Sequence, residues 1–302
     1  MPELPEVEVV RAGLEPAVSG ARIVAVDAMD IRALTRHVGD AADFERRLTG
    51  RTIRSAVRRG KFLWLPLDRD SEAERAEAIV GHLGMSGQLL LRSPGAEDDR
   101  HERLRLHLVH PEHGEIDVVF ADQRTFGSLA IDPLLATPDG AAGGWGSSEP
   151  LVPTQVAHIA RDPLDPAFDV AAFRARLGRT SSAIKRVLLD QTVLSGVGNI
   201  YADEALWAAR LHPERPASSL STRAMNQLLD EVRAVLHKAL AEGGTSFDAQ
   251  YVNVNGQAGY FSRSLHVYGR QGKPCDRCGT TIVRESFMNR GSHFCPKCQR
   301  IR

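Results

Sequence analysis

The chain has 302 residues, and its 38 Lys and Arg balance its 38 Asp and Glu, so its formal net charge is zero. A hydrophobic fraction of 42% argues against a disordered chain, and no run of the sequence approaches the ~18 apolar residues of a membrane span. The length exceeds what one hydrophobic core usually organises and therefore predicts two or more domains.

The first 131 residues predict a helix followed by a β-rich domain. Residues 5–16 place apolar side chains at helical spacing, with a proline in the first turn. Residues 103–108 alternate Arg or His with Leu, a pattern typical of a half-exposed strand. Further predicted strands are Ile23–Val26, Ile53–Val57, Phe62–Leu67, Ile79–Leu83 and Ile116–Phe120. Several short strands separated by turns favour a β-sandwich or barrel.

The stretch 132–153 is rich in Gly, Pro and Ser, which predicts a linker. Beyond it the apolar period becomes helical, and a long helix should end near Gly243. Shorter helices are predicted at 170–177, 182–190 and 199–210. The predicted layout is a β domain over 1–131, the linker, a helical domain over 154–262 and a C-terminal module over 263–302.

The last forty residues differ in charge from the rest of the chain. They hold nine Lys and Arg but two acids, a net charge of +7, so the remainder carries −7. The neutral total therefore does not exclude a phosphate-bearing partner, and residues 263–302 are a candidate phosphate-binding module.

All four cysteines lie in this basic module, with the spacing C-x2-C-x16-C-x2-C: Cys275, Cys278, Cys295 and Cys298. This spacing is typical of a zinc site with four thiolate ligands. The alternative is two disulfides in a secreted domain, but the N-terminus lacks the basic and apolar regions of a signal peptide. We expect one structural Zn²⁺ ion, held between two hairpins.

The N-terminus offers a reactive group. Removal of Met1 before a small residue would leave Pro2 with a free secondary amine, and α-amino groups have pKa values of about 7.7–8.0. Such an amine can attack an electrophilic carbon and form an iminium, while the neighbouring Glu3 can carry a proton. Any protein can begin Met-Pro-Glu, so this pattern alone does not establish catalysis.

Seven blocks of the sequence resemble, in the same order, the formamidopyrimidine-DNA glycosylase family. They are MPELPEVEVVRAGLEP (1–16), RRGKFLWL (58–65), HLGMSGQ (82–88), DQRTFG (122–127), SGVGNIYADEALWAARLHP (195–213), GGTSFDAQYVNVNGQAGYF (243–261) and VYGRQGKPCDRCG…CPKCQ (267–299). The resemblance implies a bifunctional base-excision repair enzyme that removes oxidised purines, chiefly 8-oxoguanine and formamidopyrimidines, and cleaves the abasic strand by β,δ-elimination. It also implies a multidomain α+β fold: an N-terminal β-sandwich, a helix-two-turns-helix domain and a C-terminal four-Cys zinc finger.

The resemblance assigns a catalytic role to four positions. Pro2 would be the nucleophile that attacks C1′ of the damaged nucleotide, and Glu3 the proton donor that helps to open the sugar at O4′. Lys61 would be a second proton donor and phosphate contact. Arg290 would bind the phosphate and assist δ-elimination.

The resemblance also implies contacts that take a damaged base out of the duplex. Met85 and Phe126 would fill the gap in the stack, and Arg124 would hydrogen-bond the orphaned cytosine. Core packing is the alternative for Met85 and Phe126, and a buried histidine for His82. Further DNA contacts implied by the resemblance are His82, His101, Lys185 and Asn199.

The chain departs from the family in two places and leaves one loop unassigned. Where some members carry lysines before Lys185, this chain has Arg179–Ser182 in their place, and residues 136–153 exceed the family minimum. A lesion-recognition loop is expected at roughly Thr245–Gly259, without assignable side-chain roles.

The expected partner is double-stranded DNA that contains oxidised bases or abasic sites, bound by a monomer in the bacterial cytoplasm, at the nucleoid. The nearest alternative is an endonuclease VIII-like glycosylase for oxidised pyrimidines. A non-catalytic DNA-binding module would not need the N-terminal amine, and a zinc-ribbon transcription factor would leave the N-terminal blocks unexplained.

Overall fold

The computed structural model describes residues 2–69, 75–245, 254–255, 257 and 259–301. The chain divides into two compact units. The first comprises Met1–His158 and Thr245–Gly259, and the second comprises Ile159–Gly244 and Tyr260–Arg302. Within the described ranges, no helix is long and apolar enough to cross a membrane.

The first unit is a β-sandwich with helix α1 (Leu4–Val18) and the shorter helix α2 (Ala41–Leu48). Its strands are β1 (Arg22–Ala28), β2 (Val57–Arg59), β3 (Phe62–Pro66), β4 (Glu77–His82), β5 (Gly87–Arg92), β6 (Glu102–His110), β7 (Gly114–Asp122), β8 (Ser128–Ala136) and β9 (Leu151–Pro153). One sheet has the order β1-β6-β7-β5 and the other the order β2-β3-β4-β8-β9. Neighbouring strands within each sheet are antiparallel.

Both sheets and both helices bury their apolar side chains in one core. The alternate leucines of β6 point into it, together with side chains of β3 and the inner face of α1. Representative members are Leu104, Leu106, Leu108, Leu63, Leu65, Val10 and Leu14. This arrangement confirms the sandwich predicted from the short apolar runs.

The polar positions of β6 are less exposed than their alternation predicts. Arg105 is buried, because its guanidinium donates to Glu102 at 2.7 Å and to Asp117 on β7 at 3.1 Å. The outer face of this sheet therefore carries an ion-pair network, which hydrophobic periodicity alone cannot reveal.

The stretch 132–153 is folded into the sandwich, which corrects our expectation of a linker. It begins within β8 and ends with β9, and these two strands pair. Its glycines allow close backbone packing: a Cβ on Gly144 would lie 2.4 Å from the carbonyl oxygen of Arg58. Trp145 also exchanges two backbone hydrogen bonds with Arg58. The domain boundaries themselves remain a prediction.

The described residues of the second unit form four α-helices and one β-hairpin. They are α3 (Val170–Gly178), α4 (Ile184–Leu189), α5 (Asn199–Ala208), α6 (Thr222–Ala241), β10 (Val283–Phe287) and β11 (Arg290–Phe294). Helix α6 begins earlier than its apolar pattern suggests, because the Ser221 hydroxyl accepts a hydrogen bond from the Ala224 N–H. The expected second hairpin is reduced to an isolated bridge between Pro274 and Thr281.

We predict that Leu106→Ala lowers the free energy of unfolding by about 2–5 kcal/mol, because it opens a cavity in the sandwich core. Leu106 is 2% exposed, whereas Val109 on the same strand is 38% exposed. The control Val109→Ala should change stability by less than about 0.5 kcal/mol. Chemical denaturation checks both values, and equal losses would contradict the assigned inner face of β6.

Candidate active site and nucleic-acid interface

The N-terminal residues are held tightly at the start of α1. Pro2 and Glu3 are buried, and Glu3 is the residue that precedes the helix. The Glu6 carboxylate accepts from the Glu3 N–H at 2.9 Å and from the backbone and hydroxyl of Thr245 at 2.7 and 2.8 Å. One side chain of α1 thus fixes the segment that carries Pro2, and Met1 lies outside the described residues.

Lys61 directly precedes strand β3, and His82 ends the adjacent strand β4 of the same sheet. Lys61 is in the turn between β2 and β3, where Gly60 has a φ of 57°, and its side chain is buried. The next residue, Phe62, pairs with His82 on β4, with their ring centroids 4.7 Å apart. Burial, followed by the positive charges of Arg36 and Lys61, lowers the pKa of His82 to about 4. His82 is therefore neutral at physiological pH, and its Nδ1 accepts from the Gly84 N–H at 3.2 Å.

Three residues expected to enter the DNA stack lie on two neighbouring loops. Met85 is 41% exposed and Phe126 is 60% exposed, so neither packs in the core. Arg124 is also exposed, with its guanidinium carbon 5.4 Å from the centroid of the Phe126 ring. Their side chains are thus available at the surface, as insertion between base steps would require. His101 is half-buried with a φ of 68°, and its carbonyl accepts from the N–H of Asp122, the residue that precedes the Phe126 loop, at 2.9 Å.

The buried Asp122 fixes both of these loops. One carboxylate oxygen accepts from the Ser86 hydroxyl at 2.6 Å and from the Arg124 N–H at 3.1 Å. The other accepts from the N–H groups of Phe126 and Gly127 at 2.9 and 2.7 Å. Sequence reasoning missed this role, although Asp122 opens the DQRTFG block.

In the second unit, Arg290 is exposed at the start of β11, after a tight turn in which Met288 and Asn289 have φ values of 48° and 61°. The neighbouring carbonyl of Gly291 accepts from Asn199 Nδ2 at 2.9 Å. Asn199 is the first residue of α5, so its amide joins the helix to the hairpin.

Lys185 was expected to contact DNA, but the structure buries it completely. Its Nζ lies 2.6 Å from Asp203 Oδ1, and it donates to the Gly291 carbonyl at 3.4 Å. Asp203 also accepts from the His293 N–H at 2.8 Å. Lys185 therefore belongs to an ionic cluster that joins α4 and α5 to β11, and direct DNA contact by its ammonium does not fit this arrangement.

Glu204, also on α5, holds the segment that leads into the zinc module. Its carboxylate accepts from three successive backbone N–H groups, those of His266, Val267 and Tyr268, at 2.8–2.9 Å. Burial raises the pKa of Glu204 in spite of these donors. Most of the expected lesion-recognition loop, residues 246–253, 256 and 258, lies outside the described residues.

The four cysteines converge as a zinc site requires. Their Sγ atoms all lie within 4.8 Å of one another, and all four thiols are free. Four sulfur atoms that each bind one tetrahedral Zn²⁺ ion at ≈ 2.3 Å also lie within this distance of one another. The indole Nε1–H of Trp207 donates to Cys275 Sγ at 3.5 Å, which suits a thiolate ligand. The chain thus holds one structural zinc ion, whose positive charge would stabilise the four thiolates.

We predict that His82→Gln reduces the loss of stability on acidification. Because folding lowers the pKa of His82 from 6.5 to about 4, its contribution to stability is complete above pH 6.5 and is lost as the pH falls towards 4. The Tm of the variant should therefore fall less than that of wild type between pH 6.5 and 4.5. The exposed His113→Gln is the control and should follow wild type. Parallel curves for all three proteins would contradict the burial of a neutral imidazole.

We predict that metal removal by a chelator, or Cys298→Ser, disorders the β10–β11 hairpin and weakens binding to duplex DNA by at least about tenfold, because metal binding and folding are coupled. Metal analysis, NMR of the hairpin and a binding titration check this. Ser286→Ala, an exposed position on β10, should retain both zinc and affinity. Unchanged affinity in the metal-free protein would refute the prediction.

Comparison with known proteins gives the same architecture. Family models match the N-terminal domain of formamidopyrimidine-DNA glycosylase over residues 1–129 and its H2TH domain over 159–250. A model of the zinc finger found in FPG and IleRS matches residues 272–301.

Similar proteins cover the chain from end to end. Formamidopyrimidine-DNA glycosylase from Leifsonia xyli subsp. xyli is 65% identical over 301 residues, 100% of both chains. That from a Nocardioides species is 54% identical, over 99% of this chain and 94% of its own. A Lactococcus lactis Fpg mutant, solved with a Fapy-dG containing DNA, is 31% identical with a TM-score of 0.81, over 99% of this chain and 100% of its own. Wild-type Lactococcus lactis Fpg, solved with an oxidised pyrimidine containing DNA, has a TM-score of 0.80 with the same identity and coverage. The chain is therefore a member of the formamidopyrimidine-DNA glycosylase family.

Proposed function

We propose that this enzyme is a bifunctional DNA glycosylase and abasic-site lyase that removes 8-oxoguanine and formamidopyrimidines from double-stranded DNA. The glycosylase activity follows from membership of the family. The observation that supports the mechanism through an N-terminal proline is the position of the N-terminus. Glu6 fixes the segment of Pro2 and Glu3 at the start of α1. Its substrate would bring the enzyme to the bacterial nucleoid, where it works as a monomer.

Pro2 is the proposed nucleophile. After removal of Met1, its secondary amine attacks C1′, the bond from C1′ to the damaged base breaks, and the base leaves with the bonding electrons and takes up the proton that the amine loses. Opening of the sugar then gives an iminium between Pro2 and C1′. Glu3, adjacent and buried, donates the proton that O4′ takes up when the ring opens.

The iminium then permits strand cleavage. It withdraws electrons from C2′, so a C2′ proton is lost and the bond from C3′ to the phosphate oxygen breaks. A second elimination releases the 5′ phosphate. The proposed roles of Lys61 and Arg290 are to hold phosphate oxygens and supply protons in these steps. Arg290 is exposed on a hairpin end that Asn199 and Lys185 fix through the Gly291 carbonyl, which supports its role.

The remaining proposed contacts make the damaged nucleotide accessible. Met85 and Phe126 replace the stacking lost when the base leaves the helix, and Arg124 hydrogen-bonds the unpaired partner base. His82, His101 and Asn199 are the proposed contacts to the DNA strand. Lys185 acts indirectly, by fixing β11. The four cysteines, Cys275, Cys278, Cys295 and Cys298, bind the zinc ion that supports the hairpin.

Excision of oxidised pyrimidines is the second candidate activity, because wild-type Lactococcus lactis Fpg was solved with an oxidised pyrimidine containing DNA. Excision from duplexes with 8-oxoguanine opposite cytosine, compared with thymine glycol opposite adenine, separates the two activities. The proposal requires faster excision of 8-oxoguanine, and a strong preference for thymine glycol would reverse the assignment.

We predict that Pro2→Glu abolishes borohydride trapping on lesion-containing DNA and lowers excision on the order of a thousandfold or more, because Met1 is retained before a large residue and the amine is lost. Gel assays of trapping and excision measure both effects. Pro16→Ala, an exposed position on the same helix, should behave as wild type. A Pro2→Glu variant that still forms the adduct would contradict the iminium mechanism.

A further inference from the structure

The three side chains proposed to enter the DNA stack do not share one rigid element. Met85 lies in the turn between β4 and β5, whereas Arg124 and Phe126 lie between β7 and β8. To fill one gap in a duplex, side chains from both loops must keep a fixed spacing while they face the solvent. Some buried interaction must therefore tie the two loops together.

The carboxylate of Asp122 connects the two loops through hydrogen bonds. It lies at the end of β7, is 1% exposed, and bonds the Ser86 hydroxyl of one loop and three backbone N–H groups of the other. The four donors are uncharged, so they compensate the buried carboxylate in the way that backbone N–H groups compensate a bound anion. The N–H of Arg124 also lies 3.1 Å from Ser86 Oγ, which closes the network between the two loops.

The backbone around Asp122 is equally constrained. Its N–H donates to the carbonyl of His101 at 2.9 Å, and its own carbonyl accepts from Arg103 Nε at 2.9 Å. The two loops also meet backbone to backbone, since a Cβ on Gly84 would lie 2.5 Å from the nitrogen of Gly127. Asp122 therefore occupies a point where the Met85 loop, the Phe126 loop and the His101 backbone come together.

We propose that Asp122 is the positioning residue of the intercalating side chains, and that its carboxylate sets the geometry with which Met85, Arg124 and Phe126 expel a damaged base from the duplex. This inference rests on the proposed function. It assigns Asp122 to extrusion of the base and not to the reaction at C1′, because its oxygens are occupied by the loop and face away from solvent.

Asp122→Asn tests the proposal with almost no change of shape. The amide keeps one acceptor oxygen but turns an NH₂ group towards backbone N–H donors, so about half of the network is lost. We expect single-turnover excision of 8-oxoguanine opposite cytosine to fall by about 10- to 100-fold. The fluorescence of 2-aminopurine next to the lesion, which reports unstacking, should rise correspondingly slowly.

A substrate that needs no extrusion provides the selective readout. Trapping by borohydride on an abasic site in single-stranded DNA should stay within about threefold of wild type. The matched control is Asp132→Asn, a buried aspartate on β8 of the same unit whose carboxylate accepts from Thr154 and Gln155. Asp132→Asn should lower Tm, but it should change duplex excision and single-strand trapping to the same extent.

Ser86→Ala provides a second variant if Asp122→Asn does not fold, because it removes a single donor. It should lower duplex excision by about three- to tenfold and leave single-strand trapping unchanged. Equal losses in both assays, or wild-type excision by both variants, would overturn the role of Asp122. If wild-type protein itself neither excises nor traps, the proposed function has failed instead.

Discussion

A buried carboxylate that accepts hydrogen bonds from backbone N–H groups holds each of four segments that carry or lead to proposed functional side chains. Glu6 fixes the N-terminus, Asp122 the two exposed loops, Asp203 the strand of Arg290, and Glu204 the entry to the zinc module. Three of these segments lie outside or at the ends of regular elements, where few backbone hydrogen bonds can position them, whereas the strand of Arg290 also pairs with β10. The carboxylates supply the missing acceptors and make irregular backbone rigid.

Such burial is stable because each charge is compensated. An isolated carboxylate in the interior would cost several kcal/mol, but two to four donors aimed at its oxygens offset that cost. Removal of one oxygen would leave one or two buried donors unpaired, so these positions should be sensitive to substitution. The same burial explains why a net charge of zero is compatible with DNA binding. Several acidic side chains are buried and paired inside the protein, while basic residues such as Arg124 and Arg290 remain exposed.

Periodicity and motif spacing predicted the sandwich, most helices and the cysteine cluster, because these depend on local patterns. The strands β5, β8 and β9 were missed, because they are defined by their pairing with β7, β4 and β8, respectively, which only the fold shows. The stretch 132–153 has the composition of a linker, yet its glycines permit close packing against Arg58. Charged residues in the interior, such as Lys185 and Asp203, could not be predicted, because their partners lie far apart in sequence and only the fold brings them together.

If the fixed N-terminus is the reactive group of the enzyme, borohydride on an 8-oxoguanine duplex should trap the DNA on Pro2. Peptide mapping of the trapped adduct by mass spectrometry measures this. We expect the DNA-derived mass on the nitrogen of Pro2, in a peptide that lacks Met1. An adduct on Lys61 or another lysine, or a reactive protein that retains Met1, would contradict it.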